Sequence, residues 1–330
     1  MNDYIPPYKI SNRMLDLVSS ISEKVGQVTW HKGLESKPQL RRNNRIRSIH
    51  SSLKIEANSL SLNEVRDVIN GNLVIGDQKE IQEVKNAYKA YEQIGSIDPA
   101  SVDDLKRIHG IMTHLTVDES GFFRTGDEGV FKGDKCIFVC PPPTMVNELI
   151  DNLFSWMKNS EGKVHPLIMG AVFHYEFVFI HPFSDGNGRM ARLWHTVILH
   201  RWRRVFEHIP LESRIEQHQQ AYYDAIAKCH TNGNSDVFIE FMLELIDRVL
   251  DDVIAQIERD GAHASEYVKR LLAAMEFDIP YTSGEIMQRL GLKSKETLRK
   301  NYLNPALESN LIKMTIPDKP NSRNQRYIKK

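Results

Sequence analysis

His181-Pro-Phe-Ser-Asp-Gly-Asn-Gly-Arg-Met-Ala-Arg192 gathers the chemistry of this chain into twelve residues. The stretch holds an imidazole that can take a proton near neutral pH and a carboxylate that can hold Mg²⁺. It also holds two glycines around an Asn, and two arginines whose forks suit phosphate oxygens. The run before it, Leu167 to Phe179, has helical period and is apolar nearly all round, which predicts a central buried helix. Proline disfavours helix at the residue before it, so His181 is expected at or just beyond that helix's end, its ring free to enter a pocket. Asp185-Gly-Asn-Gly188 reads as a tight turn. The helix that starts there offers unpaired N–H groups and its positive dipole end to an anion. Arg189 and Arg192 are three apart and share one helix face, so they can reach successive phosphates of one ligand. A buried helix, a turn and a second helix therefore predict a polyphosphate site on a helical scaffold.

Outward from this stretch the pattern stays helical. Apolar residues three and four apart predict helices over 10–25, 40–53, 80–94, 102–115, 145–157, 188–202, 217–229 and 237–259. Residues 121–143 break the rhythm. Val130-Phe131 and Cys136-Ile-Phe-Val139 flank a Gly-containing turn and predict a hairpin, stopped by the prolines at 141–143. As residues alone, that hairpin is equally a plain surface feature or a flap beside the site. Asp260-Gly-Ala-His-Ala-Ser265 reads as a linker. Beyond it, Thr282-Ser283 caps a short helix ending at Gly291, and Ser294 caps a second through Tyr302. A third follows Pro305, with Asn310 at a left-handed C-cap position. Strands over 311–315 and 325–328 complete a winged-helix pattern.

Composition sets bounds. The chain has 330 residues, 41% of them hydrophobic, enough for a sizeable core. Lys plus Arg and Asp plus Glu both number 43, so overall charge argues for neither nucleic acid nor membrane. Residues 265–330 differ, with 13 Lys or Arg against 7 Asp or Glu. The cysteines 136, 140 and 229 make no disulfide framework, and Cys136-x-x-x-Cys140 lacks a partner pair for zinc. Met1-Asn-Asp-Tyr-Ile-Pro-Pro7 shows no basic region followed by an apolar one, so no signal peptide is expected. His174, Glu176 and His181 interrupt the most apolar stretch, so no membrane span is expected. A reducing cytoplasm is the expected compartment.

His181-Pro-Phe-Ser-Asp-Gly-Asn-Gly-Arg189 resembles the signature of the Fic (Fic/Doc) family, HPFx(D/E)GN(G/K)R, at every specified position. With the flap and the C-terminal pattern, the resemblance extends over nearly the whole chain. It implies a mainly α Fic-type helical bundle with a small β-hairpin flap and a C-terminal winged-helix domain. The expected boundaries are 1–75 for an N-terminal region with an inhibitory helix, 76–260 for the Fic core and 265–330 for the winged helix. It implies a nucleotidyltransferase that moves AMP from ATP to a hydroxyl of a target protein or of itself. His181 would be the general base and Asp185 would hold Mg²⁺ between the α- and β-phosphates. Gly186, Asn187 and Gly188 would cradle phosphate oxygens, and Arg189 and Arg192 would neutralise the β- and γ-phosphates. Positioning and charge stabilisation dominate such transfers.

Ser52-Leu-Lys-Ile-Glu56 resembles the family's inhibitory motif, (S/T)xxxE(G/N), in which the Glu pairs with the second arginine, here Arg192, and blocks the γ-phosphate. Position 57 departs from the motif, being Ala, and Asn58 is the expected helix terminator one residue later. In some relatives the same Glu orients a water that removes AMP, so the reverse reaction is open. Phe123 to Phe131 resembles the family flap, whose backbone pairs with an extended target segment, with Glu128, Gly129, Val130 and Phe131 bordering the nucleotide. Tyr222-Tyr223 resembles a tyrosine pair near adenine, Tyr223 being the stacking candidate; the residues alone allow two half-buried helix tyrosines equally. Lys293, Lys295, Arg299 and Lys300, then Arg323, Arg326, Lys329 and Lys330, suit a DNA backbone. That keeps open a DNA-binding regulator with a nucleotide-sensing or self-modifying Fic domain. Winged helices also bind proteins or pack on their own core. Other relatives move UMP, phosphocholine or phosphate, and a homodimer stays among the open assemblies.

Overall fold

The computed structural model describes residues 4–30, 38–132, 135–262, 266–309, 311–320 and 322–329. The chain divides into two compact units. The first is Met1–Val25 with Arg45–Leu250, the second Gly26–Asn44 with Asp251–Lys330.

The first unit is helical apart from one hairpin. In order it contains α1 (Asn12–Trp30), α2 (Pro38–Ile55), α3 (Leu62–Ile69), α4 (Gln78–Glu92) and α5 (Val102–Met112). Then come β1 (Gly129–Lys132), β2 (Lys135–Val139), α6 (Pro143–Asn159), α7 (Pro166–Ile180), α8 (Asn187–Trp202), α9 (Leu211–Gln217), α10 (Gln219–Asn232) and α11 (Asp236–Ala262). The end of α1, the start of α2 and the end of α11 fall to the other side of the division.

α7 starts where its sequence says it should. His165 accepts from the Leu167 N–H at 3.2 Å, and Pro166 fills the first turn, where its missing N–H costs nothing. Its residues from Leu167 to Phe177 are buried on every face, so it runs through the core as expected. It packs along α8, itself buried from Met190 to Leu199. Phe173 stacks with Phe177 and Trp194, with ring centroids 5.8 and 6.3 Å apart. Burying each such ring contributes about 1.5–3 kcal/mol, and Phe173→Ala would cost about 3–5 kcal/mol through the cavity left behind.

Shorter helices are fixed by their caps. Ser61 and Glu64 form a reciprocal capping box on α3, Asp77 caps α4 and Ser101 caps α5. The S-x-x-E signal at 61–64 was legible but not read as a helix start. The helix predicted over 217–229 is α10, which starts after His218; α9 before it was not foreseen. β1 and β2 pair antiparallel, Gly129 opposite Val139, with a bulge between Val130 and Phe131. The turn residues 133–134 lie outside the described residues.

The second unit carries α12 (Glu266–Ala274), β3 (Pro280–Tyr281), α13 (Ser283–Leu290), α14 (Lys295–Thr297), α15 (Asn304–Glu308), β4 (Ile312–Met314) and β5 (Tyr327–Lys329). A π-helical turn, Leu298–Leu303, continues α14 to Asn304. Val268, Leu271, Ile286, Leu298, Tyr302 and Ile312 form its core. Thr282 and Glu285 form the capping box of α13, which ends on Gly291 at φ 67°. α12 was not foreseen, nor was β3, which makes the sheet three-stranded in the order β3-β5-β4. The segment read as a linker is helical as far as Ala262; 263–265 and the Asn310 cap lie outside the described residues. Lys329 needs correction. It lies in β5, buried, donating to the Leu272 carbonyl at 2.8 Å over the Phe277 ring, and cannot face a nucleic acid. Lys330 lies outside the described residues. No described helix is long and apolar enough to cross a membrane.

Candidate active site

α7 ends on His181, whose backbone is left-handed at φ 53°, ψ 59°. That region disfavours residues with a Cβ, so neighbours must hold it. Arg124, buried at 3% exposure, does so. Its Nε donates to the His181 carbonyl at 2.7 Å and its backbone N–H to Pro182 O at 2.9 Å. Its other nitrogens reach Gly126 O at 2.8 Å and Pro141 O at 2.5 Å. One guanidinium thus joins the His181 turn to both ends of the hairpin.

The His181 ring places Nδ1 3.3 Å from the Val178 carbonyl. A carbonyl only accepts, so Nδ1 carries the proton and Nε2 keeps its lone pair. Burial pushes the imidazole pKa below its usual value, helped by Arg124 and opposed by the Val178 carbonyl, Glu56 and Asp185. The ring is therefore neutral at pH 7, with a free Nε2 that can take a proton.

The turn after His181 is braced from α5. The Gly121 N–H donates to His109 Nδ1 at 2.9 Å, which puts the ring proton on Nε2, 3.0 Å from the Asp185 carbonyl. His109 also stacks flat on Phe183, centroids 3.6 Å apart. Gly186 takes φ 80°, and a Cβ there would sit 3.0 Å from Thr113 Cγ2. The Asn187 amide is spent on the turn itself, accepting from the Phe183 N–H at 3.0 Å and donating to Phe183 O at 2.7 Å. What residue 187 offers an anion is its backbone N–H.

No side chain caps the N-terminus of α8 at Gly186. The Glu56 carboxylate lies over it instead: a Cβ on Gly188 would collide with Glu56 Oε1. Arg192 is buried and donates through NH2 to Glu56 Oε1 at 2.7 Å and Ser52 O at 2.9 Å, and through Nε to Ser52 Oγ at 3.0 Å. Burial opposes its charge, but Glu56, Tyr222 and Tyr91 outweigh that and raise its pKa. Arg189 is also buried, 3.3 Å from both Asp185 Oδ1 and Glu83 Oε1, with Nε and NH1 lacking hydrogen-bond partners.

Glu56 reaches this position because α2 stops at Ile55 and the chain turns. The terminator is Ala57, at φ 66°, one residue earlier than Asn58. Asn58 instead donates to Glu80 O and Glu83 Oε2 and accepts from the Leu60 N–H. Ser51 and Lys54 bind Glu216, each at 2.7 Å, and Gln219 donates to Ile55 O at 3.1 Å, tying the end of α2 to α9 and α10.

The Asp185 side chain is 45% exposed, with Oδ1 accepting from the Gly186 N–H at 2.5 Å. Among the described residues no group of three His, Cys, Asp or Glu could hold a metal. A single half-exposed carboxylate beside the buried Arg189 suits Mg²⁺, which takes one or two carboxylates and completes its shell with phosphate and water. Glu128 to Val130 lead into and begin β1, and the Cys140 N–H donates to Glu128 O at 3.0 Å. Phe131 is placed by its backbone only. Of the tyrosine pair, Tyr222 is buried and Tyr223 is 43% exposed; the rings meet edge to face at 5.3 Å.

A crystal structure of a Fic family protein from Desulfovibrio desulfuricans G20 is 39% identical to this chain, with a TM-score of 0.74. The match covers 99% of this chain and 98% of that one. The chain belongs to the Fic family. Residues 99–199 match the Fic/DOC family, and residues 266–328 match the domain described as "Filamentation induced by cAMP protein Fic-like, C-terminal domain". Protein adenylyltransferase Fic of Aedes aegypti is 28% identical over 215 residues, 62% of this chain. The match spans about two fifths of the curated relative's length (41%). Fic-1 from C. elegans, at 21% identity and TM-score 0.61 over 74% of this chain and 73% of that one, shares the fold. In this Fic chain the structure brings Ser52, Glu56, His181, Asp185, Gly186, Gly188, Arg189 and Arg192 to one place. Sequence reasoning missed Arg124 and His109 as its braces. The Phe123-Arg124 pair was in view, but only three-dimensional contact shows what the guanidinium holds.

Proposed function

We propose that this chain is a protein adenylyltransferase that moves AMP from ATP to a side-chain hydroxyl of a target protein or of itself, and that Glu56 restrains it. The observation that carries the reading is Glu56 seated on both Arg192 and the N-terminus of α8, beside a neutral His181. A carboxylate there occupies the place built for a phosphate. Naming of Fic relatives as adenylyltransferases supports the class of reaction.

Backbone N–H groups of Asn187 and Gly188, with Arg189 and Arg192, hold the phosphates across the turn at Gly186, and ATP must displace Glu56 to reach Arg192. Asp185 would hold Mg²⁺, which when bound neutralises phosphate charge. His181 Nε2 takes the proton of the attacking hydroxyl. The hydroxyl oxygen bonds to the α-phosphorus, the bond from that phosphorus to the β-bridging oxygen breaks, and pyrophosphate leaves. The β1–β2 hairpin, fixed to the catalytic turn through Arg124, lies where an extended target segment can pair with it, and the half-exposed Tyr223 is the stacking surface for adenine.

Incubation with α-labelled and, separately, γ-labelled ATP tests this. Protein label from the α position alone, lost in His181→Asn, is expected. Label from the γ position alone would make the chain a phosphotransferase.

A second reading concerns the C-terminal unit. Lys293, Lys295, Arg299 and Lys300 are exposed on and beside α14, and Arg323 and Arg326 are exposed before β5, a winged-helix arrangement suited to duplex DNA. Retention of duplex DNA on a filter at low salt, abolished by Arg299→Glu with Lys300→Glu, is expected; equal retention by that variant would remove the reading.

A further inference from the structure

Glu83, on α4, lies between two parts of the site that the sequence sets far apart. Its side chain is 15% exposed. Oε2 accepts from the Asn58 amide at 3.0 Å, and Oε1 stands 3.3 Å from Arg189 NH1. Asn58 follows Ala57 in the turn that carries Glu56, and Arg189 is the first of the two buried arginines of the motif on α8. Nothing in the reaction above uses Glu83. A largely buried carboxylate is costly unless paired. Its two partners are one residue of the restraining turn and one of the phosphate site.

The turn itself is fastened to α4. The Asn58 amide also donates to Glu80 O at 3.3 Å, and Ser59 gives its N–H and its hydroxyl to the Glu80 carboxylate at 2.9 and 2.7 Å. The backbone N–H groups of Ala57 and Asn58 close on Lys54 O at 3.0 Å and Leu53 O at 3.1 Å. The Glu56 side chain is held differently. It is 39% exposed, and its carboxylate accepts from Arg192. It can therefore rotate off Arg192 while the backbone of 57–59 stays on α4.

Arg189 needs such a fixed partner. Its side chain is 3% exposed, Nε and NH1 lack hydrogen-bond partners, and the bond from NH2 to Asp185 Oδ1 is long at 3.3 Å. Glu83 meets NH1 by charge, without the alignment of a hydrogen bond. That fixes where the guanidinium sits and leaves its N–H groups unspent for an anion. Asp185 is half-exposed and read above as the Mg²⁺ ligand, and a carboxylate drawn to a metal is not free to hold Arg189 as well. We propose that Glu83, aimed by Asn58, is a positioning residue that holds the Arg189 guanidinium at the phosphate site. The turn that carries the restraint is then also a working part of the site it restrains. This rests on the reading of Arg189 as a phosphate ligand.

The test uses the full chain with Glu56→Gly, so that the restraint is absent. To it is added Glu83→Gln, which keeps size and loses charge, or Asn58→Ala, which removes the aiming amide. Each is made with Arg189 intact and with Arg189→Ala. The readout is affinity, by titration calorimetry, for ATP and for AMP, which lacks the outer phosphates. With Arg189 intact, each change is expected to weaken ATP about tenfold and to leave AMP within about twofold. In the Arg189→Ala chain neither is expected to weaken ATP by more than about a further twofold, because effects that pass through one residue do not add. Unchanged ATP affinity in either variant, equal weakening of ATP and AMP, or a full further loss in the Arg189→Ala chain would overturn the proposal. So would tighter ATP binding with Asn58→Ala, which would make the turn a restraint and nothing more. If Glu56→Gly prefers ATP over AMP no more with Arg189 than with Arg189→Ala, the phosphate reading of Arg189 falls and the proposal falls with it.

Discussion

Glu56 Oε1 accepts from Arg192 NH2 at 2.7 Å, across 136 residues of sequence, and lies directly over Gly188 at the start of α8. The carboxylate thus occupies two anion-binding features at once, a buried guanidinium and a helix N-terminus. It is itself 39% exposed, so a stronger anion can compete for both without first unfolding anything.

The turn that delivers Glu56 is strained. Ala57 takes φ 66°, where its Cβ is disfavoured and glycine is not. Ala57→Gly is expected to raise unfolding free energy by about 1 kcal/mol in urea denaturation, and Ala57→Val to lower it by at least as much. Equal stability of all three chains would show that the turn bears no strain.

This position also shows where the sequence was legible and where it was not. The departure at 57 was visible, and a terminator one residue later was the natural reading, since Asn tolerates left-handed backbone better than Ala. The contacts of Asn58 with Glu80, Glu83 and the Leu60 N–H decide otherwise, and none lies in the local pattern. The same contrast runs through the chain. α7 and α8 declare themselves through periodicity, Pro182 and the glycines, because their signals are local. Arg124 and His109 carry no local signal of their roles; the carbonyls of His181 and Asp185 that they hold lie tens of residues away. α12, β3 and the buried Lys329 were missed because a short amphipathic helix and a two-residue strand carry little signal without their core.

His181 needs the left-handed backbone as well as its ring. His181→Asn is the inactive variant that leaves the turn least disturbed, because Asn enters that region most readily after Gly. In the intact protein the imidazole pKa lies below 6.5. AMP transfer is therefore expected to be level from pH 7 to 8 and to fall on acidification, with a midpoint below 6.5, in initial rates at saturating ATP. A midpoint above 6.5 would assign the base to another group.

Arg124 holds the His181 carbonyl from a buried site. Arg124→Lys, keeping charge but losing the fork, should lower the rate of transfer about 100-fold through misplacement of the ring. Affinity for ATP should stay within about twofold, since no phosphate group is touched. Loss of ATP binding in parallel with rate would show that the whole turn had collapsed.

Two buried histidines make stability depend on acid. Burial lowers His109 to about 4 and His195 to about 3. Below pH 6.5 the unfolded chain binds protons that the folded chain refuses, so their contribution is full above 6.5 and is lost as pH falls toward 4 and then 3. Each is of the order of 3–5 kcal/mol. Urea midpoints should be level from pH 7 to 8 and fall steadily from pH 6 to 4.5, and His195→Met should flatten part of that slope. A midpoint that rises on acidification would contradict the neutral assignment of both rings.

The restraint itself is tested most directly by the initial rate of AMP incorporation from α-labelled ATP, compared between the unaltered chain and Glu56→Gly, with His181→Asn as the blank. Freeing Arg192 and the start of α8 is expected to raise the rate about 5- to 150-fold, the usual range for a coupling of this kind. An equal or lower rate in a folded Glu56→Gly chain that still binds ATP would contradict the claim that Glu56 holds the enzyme back.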